Sequence, residues 1–167
     1  MAIYRDSVQS MWWLHLILLL VLSACGGTPV GPREGQQAPV FEAARMNGST
    51  LSLADYRGRP TVMVFWASWC GPCLKEAPEV ARVAKSYGKQ INMVSINAGE
   101  PVDVAKRAAP QMGITWPVVL DTDGSIQAKY QVTGIPLVLV LDASGRVRHR
   151  NNGVPSDIHR LLDGLLG

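Results

Sequence analysis

The sequence predicts a three-layer α/β sandwich with a mixed central sheet and a β-hairpin at its N-terminal side. Two observations carry this. Apolar, β-branched runs (Thr61 to Trp66, Ile91 to Asn97, Trp116 to Leu120) alternate with helix-period segments, the pattern of a sheet covered on both faces. The chain then closes with a hairpin and a terminal helix, which adds antiparallel strands to that sheet. At 167 residues, 47% hydrophobic and 17% charged, the chain has the size and composition of one ordered domain. A net charge of +3, dispersed along the sequence, does not point to nucleic acid. Three cysteines are too few for a disulfide-stapled scaffold or a four-thiolate metal site. Their odd number implies that one cysteine has a different job from the other two.

The first segment is an apolar run from Met11 to Leu22, broken only by His15. A membrane-spanning helix needs about twenty apolar residues, so the run fits the core of a secretory signal better than a permanent span. Arg5 gives it a modest positive flank, offset by Asp6. Small residues follow at once in Leu22-Ser23-Ala24-Cys25-Gly26-Gly27, as a signal peptidase requires. The tetrapeptide Leu22-Ser23-Ala24-Cys25 resembles the bacterial lipobox. That resemblance implies cleavage after residue 24, with Cys25 diacylated as the mature N-terminus and the chain anchored by lipid. Residues 1–24 are then a signal peptide. Residues 25–37, rich in glycine and proline, read as the lipidated cysteine and a flexible linker, and 38–167 as the domain.

Within the domain, Val40 to Arg45 and Ser49 to Leu53 flank Asn47-Gly48, a strong hairpin turn signal. Thr61 to Trp66 is a strand buried on both faces. The next element is a helix from about Cys70 to Tyr87, with Leu74, Ala77, Ala81 and Ala84 on its inward face and Gly88 as its stop. The strand Ile91 to Asn97, a helix over Val102 to Met112, the strand Trp116 to Leu120 and a short helix at Ser125 to Tyr130 follow. Leu137 to Leu141 and Arg146 to Arg150 form a hairpin around Asp142-Ala143-Ser144-Gly145. The last helix covers Ser156 to Leu166, capped by Ser156, with Ile158, Leu161, Leu162 and Leu165 inward.

The chemistry lies in Trp69-Cys70-Gly71-Pro72-Cys73, where a buried strand turns into a helix. Cys70 falls at the helix N-terminus, where unpaired N–H groups and the helix dipole favour a thiolate. Cys73, one turn inside and more covered, is placed to resolve a mixed disulfide formed at Cys70. Pro72 sits in the first turn, where its missing N–H costs nothing. A purely structural disulfide closing so short a loop would constrain the unfolded chain little. Zinc would need two further ligands, and His149 and His159 lie on late elements without metal-ligand spacing, so no metal is expected.

Trp69 to Cys73 is similar to the active-site pentapeptide of the thioredoxin superfamily. Pro78 and Ile135-Pro136 resemble its helix proline and its cis-proline loop. The segments Gln37 to Phe41, Leu53 to Pro60 and Phe65 to Pro78 resemble the extracytoplasmic TlpA/ResA branch, which includes the cytochrome c-biogenesis thioredoxins. The resemblance implies a thioredoxin-like α/β/α fold and a thiol-disulfide oxidoreductase whose only redox group is the Cys70–Cys73 disulfide. It implies a reducing direction and a protein disulfide substrate such as apocytochrome c. It also implies electrons from a CcdA- or DsbD-type membrane partner, and the molecule is expected to work as a monomer. Val64 stands where ordinary thioredoxins carry a buried acid, and Glu76, three residues beyond Cys73, matches the branch's active-site glutamate. Desolvation beside the pair should raise its pKa and let it exchange a proton with Cys73. Leu137 replaces the threonine often found after the loop proline. Trp69, Gly71, Pro72, Thr133, Gly134, Ile135 and Pro136 are expected to border a groove in which a substrate chain pairs with the Ile135 backbone.

Two other functions compete with this one. A peroxiredoxin-like thiol peroxidase would want Pro-x-x-x-Thr-x-x-Cys, but Met63 and Ala67 stand at the proline and threonine places before Cys70. A non-catalytic binding lipoprotein of the same fold would hold an inert pair that never forms a mixed disulfide.

Overall fold

A computed structural model describes residues 28–167 of the chain; the expected signal segment, Cys25 and the two glycines after it lie outside the described residues. The expected hairpin is present but shorter, with strand β1 (Glu42–Ala44) antiparallel to β2 (Thr50–Ser52). A 3-10 turn (Leu53–Tyr56) leads to β3 (Thr61–Trp66), whose bounds coincide with the apolar run in the sequence. Helix α1 (Gly71–Tyr87), β4 (Asn92–Ala98), α2 (Val102–Gln111), β5 (Val118–Asp121) and the short α3 (Ser125–Lys129) follow. The chain ends with β6 (Leu137–Leu141), β7 (Val147–Asn151) and α4 (Ile158–Leu166). Five strands form one mixed sheet in the order β5-β4-β3-β6-β7; β3, β4 and β5 are parallel, whereas β6 and β7 run antiparallel.

Strand parity divides the core. Val62 and Val64 of β3 and Val138 and Val140 of β6 face α1 and α4, meeting Val80, Val83, Ile158 and Leu162. Met63 and Phe65, with Leu137, Leu139 and Leu141, face the opposite way, onto Phe41, Leu51, Ile126 and Tyr130 from the hairpin side and α3. Every residue of β3 is buried, which is why its sequence is apolar without alternation. A third cluster gathers Trp66, Ala67, Cys70, Cys73 and Ala77 against Ala108, Ala109 and Met112 of α2.

Three expectations need correction. The inward face of α1 is Cys73, Ala77, Val80, Val83 and Tyr87, while Leu74 is 48% exposed and Ala81 and Ala84 are half-buried. The helix meets the sheet along the stripe one position away from the one its alanines mark, because the larger Val80, Val83 and Tyr87 take the core. Ser156 does not cap α4, which starts at Ile158 after Asp157 and receives no side-chain cap. Finally, the described part of the expected flexible linker is strapped to the sheet edge. Gly35 N–H donates to Val147 O at 2.8 Å, Val147 N–H to Gln36 O at 2.9 Å, and Ala38 N–H to Gly145 O at 3.0 Å. Gly31 and Pro32 are buried. The strap covers part of an edge strand whose free N–H and C=O groups would otherwise invite pairing with other chains.

Tyr130 ties the hairpin side to the sheet. It is fully buried, packs against Phe41 and Phe65, and its hydroxyl donates to Pro39 O at 2.6 Å. Tyr130→Phe leaves that buried carbonyl without its donor and is expected to lower stability by about 1–2 kcal/mol. Urea unfolding should show a reduced midpoint with an unchanged slope.

Candidate active site

Strand β3 ends at Trp66 at the carboxyl edge of the parallel strands, and α1 begins five residues later, so Cys70 lands as the N-cap of a 17-residue helix. Cys73 N–H donates to Cys70 Sγ at 3.1 Å, and Cys70 N–H to Ala67 O at 3.2 Å. The two cysteines are joined as a disulfide, S–S 2.04 Å. Each is only 3% exposed, so Cys73 is not the more covered of the two. The Ile135–Pro136 peptide bond is cis, and the Ile135 carbonyl oxygen lies 3.6 Å from Cys70 Sγ. Pro136 is buried beneath this loop, while Thr133 and Gly134 are exposed beside it. Trp69 (70% exposed) and Leu74 form an apolar rim around the pair, with Gly71 and Pro72 also at the surface. All the residues expected around the groove therefore meet at one end of the sheet.

Glu76 lies one turn beyond Cys73 on α1. With Val64, Trp66, Cys73 and Pro136 it lines a small, largely apolar cavity with water-accessible space of about 20 Å³, room for about one water molecule. Val64, at the place of the thioredoxin acid, thus borders the same space that Glu76 enters from the helix. Burial pushes the Glu76 carboxyl above its ordinary value, partly offset by the Val154 N–H that donates to it. Its Oε2 is buried and has no hydrogen-bond partner. The position of the carboxylate depends on Gly153, in the loop between β7 and α4. A Cβ at Gly153 would stand 2.3 Å from Glu76 Oε1, and the backbone there has φ +116°, a conformation that side chains disfavour.

The sequence reading missed a second carboxylate. Glu100, at the carboxyl end of β4, accepts from Ser68 N–H at 2.9 Å, from Ser68 Oγ, and from Asn97 Nδ2 at 2.6 Å. Burial alone would raise its pKa; the bonds from the Ser68 hydroxyl, Asn97 and the Ser68 amide outweigh burial and hold it below the ordinary glutamate value. Glu100 thereby pins the loop Ala67 to Trp69 that delivers Cys70. The signal lay in topology: Glu100 and Cys70 leave the carboxyl ends of adjacent parallel strands, where open α/β sheets build their sites. Among the described residues no His/Cys/Asp/Glu cluster could hold a metal ion.

A raised Glu76 pKa favours the protonated native form, so its contribution to stability is complete below the ordinary value near 4.5 and is lost as pH rises through the raised value. Glu76→Gln should remove that pH-dependent segment from the stability profile. Gly153→Ala should distort the profile in the wild-type background more than in Glu76→Ala, where the carboxylate no longer occupies the space. Glu100 has the opposite sign: its contribution is present at neutral pH and is lost as pH falls through its depressed value. Glu100→Gln should therefore cost about 1–3 kcal/mol at neutral pH and flatten the acid limb, read by urea unfolding at stepped pH.

A family model described as "AhpC/TSA family" matches residues 34–150. The chain is 31% identical over 160 residues to the thiol-disulfide oxidoreductase ResA of Geobacillus kaustophilus, covering 89% of this chain and 92% of that protein. It is 34% identical to the thioredoxin-like protein YneN of Bacillus subtilis, over 90% of this chain and 96% of the relative. Among solved structures, a secreted Mycobacterium tuberculosis disulfide oxidoreductase homologous to E. coli DsbE superposes with a TM-score of 0.64 at 26% identity, over 75% of this chain and 93% of that one. With the family model running from residue 34 across both the disulfide and the cis-proline loop, the chain belongs to the AhpC/TSA family and is a thiol-disulfide oxidoreductase of the ResA type.

Proposed function

We propose that the protein is an extracytoplasmic, membrane-tethered reductase of protein disulfides, acting on a substrate such as apocytochrome c. The observation that carries this reading is the juxtaposition of the helix-capping Cys70, the Ile135 carbonyl and the Glu76 cavity at Cys73. A membrane donor of the CcdA or DsbD type supplies two electrons and two protons to open the Cys70–Cys73 disulfide. The Cys70 thiolate, stabilised at the start of α1, attacks one sulfur of the substrate disulfide and releases the other as a thiol. Cys73 then attacks Cys70, frees the second substrate thiol and restores the internal disulfide. Glu76 takes the Cys73 proton as that thiolate forms. The substrate backbone pairs with Ile135 as an added strand, and Trp69 and Leu74 cover its apolar side chains.

Secretion of a structural relative supports the extracytoplasmic placement, and the Leu22 to Cys25 motif supports the tether. A thiol peroxidase is disfavoured by the residues themselves. Ala67 and Met63, both fully buried, stand where a peroxide-orienting threonine and its proline would be needed.

Cys73→Ser in the full chain should accumulate a mixed disulfide between Cys70 and substrate, seen as a reductant-sensitive adduct on a denaturing gel. Trapping by Cys70→Ser alone would reverse the roles of the two cysteines. Failure of both variants to trap a partner would favour the non-catalytic binding reading.

A further inference from the structure

Four cations from separate stretches of the sequence, Arg57 and Arg59, Lys89, and Arg146, are brought together in the fold. Contacts join four chain segments at the end of the sheet opposite the disulfide, where β3 and β4 start and β6 ends. Gly58 N–H donates to Ala143 O at 2.8 Å, and Arg57 Nη1 donates to Ser144 O. Arg59 Nη1 donates to Lys89 O at 2.7 Å. Arg146 donates to Thr28 Oγ1 at 3.0 Å and to Gly35 O at 3.3 Å. Arg57, Arg59 and Lys89 are exposed, Arg146 is half-buried, and none of the four is in an ion pair among the described residues. The acids nearby are fewer and largely engaged: Asp142 is paired with Arg148 at 3.5 Å, Glu34 of the strap accepts from Arg150 N–H and lies 3.7 Å from His149 Nδ1, and Asp163 accepts from Tyr87 Oη, leaving Asp55.

The chain enters the described domain at this same pole, because Thr28 is bonded to Arg146 and the strap from Gly31 to Ala38 leaves no slack. From Thr28 back to Cys25 the backbone can reach about 11 Å at most. We propose that this basic pole seats on an anionic bilayer surface and holds the disulfide at the far end of the sheet, facing away from the membrane. The proposal rests on the reading of Cys25 as the lipidated residue. A lipid anchor at Cys25 brings the four cations to within roughly a Debye length of the headgroups, where phosphate charge attracts them. The six residues of β3 then set the redox pair off from the surface by roughly 20 Å. A donor has to present its thiols at that height, on a domain standing clear of the bilayer, and substrates arrive from the aqueous side.

The test uses the acylated full-length product in nanodiscs of mixed phosphatidylglycerol and phosphatidylcholine carrying a gadolinium-chelate headgroup lipid. Amide resonances of Gly58, Lys89 and Gly145 should lose most of their intensity while those of Gly71 and Gly134 keep theirs. The triple variant Arg57→Glu/Arg59→Glu/Lys89→Glu, altered only at exposed positions, should lose that selectivity and keep its disulfide-exchange rate in solution. Equal losses at both ends, losses concentrated at Gly71, or no selective loss would overturn the proposal. The same selective loss on discs of phosphatidylcholine alone would overturn the role of the cations. Mass spectrometry of the membrane-extracted chain separates the two readings. If Cys25 carries no diacylglyceryl group, the lipoprotein reading falls and this proposal with it; an acylated Cys25 with unselective losses sinks the seating alone.

Discussion

Helix α1 begins with backbone N–H groups that no carbonyl of its own can reach, and the one from Cys73 is met by Cys70 Sγ at 3.1 Å. Cys70 is therefore the cap, and in the function proposed above the same sulfur is the nucleophile. A sulfur accepts more weakly than the oxygen of a serine or aspartate cap, but the contact still holds the redox sulfur in place by an interaction that also serves the helix. The neighbouring bonds keep it there: Cys70 N–H donates to Ala67 O, and Glu100 fastens Ser68 in the turn between. Because β3 is buried on both faces and paired on both edges, it fixes the point from which the chain turns into α1. Cys73 then faces the cavity, and Cys70 faces the cis-proline loop.

Replacing the strand acid of ordinary thioredoxins by Val64 does not leave Cys73 without a carboxylate, because Glu76 enters the same cavity from the helix. The relocation carries a requirement. A carboxylate on α1 at this height points at the loop between β7 and α4, and a Cβ at Gly153, where φ is +116°, would push the carboxylate out of its place. Val154 N–H donates to that carboxylate, enough to hold it but too little to cancel the effect of burial. The result is a carboxyl kept nearer to protonation than an exposed glutamate, as a group exchanging protons with a thiol requires.

Much of this is legible in the sequence, and the limits have physical causes. Thr61 to Trp66 was legible because full burial leaves no polar residue in a strand, and the cysteine pair because its spacing at a strand-to-helix turn has few other uses. The face of α1 was misjudged because alanines at helical spacing mark a close approach as readily as a core stripe; larger residues one step round, Val80 and Val83, took the sheet. The strap was illegible for a different reason. Glycine and proline between residues 28 and 37 read locally as linker, whereas their partners Gly145 and Val147 lie more than a hundred residues on. Glu100 was invisible for the same reason, since its value comes from Ser68 on the neighbouring strand's loop.

Equal burial of the two cysteines changes the account of how their roles divide. Exposure cannot assign them, because both are 3% exposed in the disulfide. What differs is the surroundings of each sulfur. Cys70 is supplied with an N–H donor at a helix start, which lowers the cost of a negative charge but offers no group to take a proton. Cys73 lines the cavity that Glu76 enters, in apolar surroundings that penalise a thiolate unless its proton has somewhere to go. One sulfur is thus built to carry charge, the other to lose a proton only when an acceptor is at hand. In the proposed cycle a mixed disulfide on Cys70 meets both conditions in order: Cys70 holds the substrate, and Cys73, deprotonated through Glu76, attacks the Cys70 sulfur to which it is joined in the oxidised form.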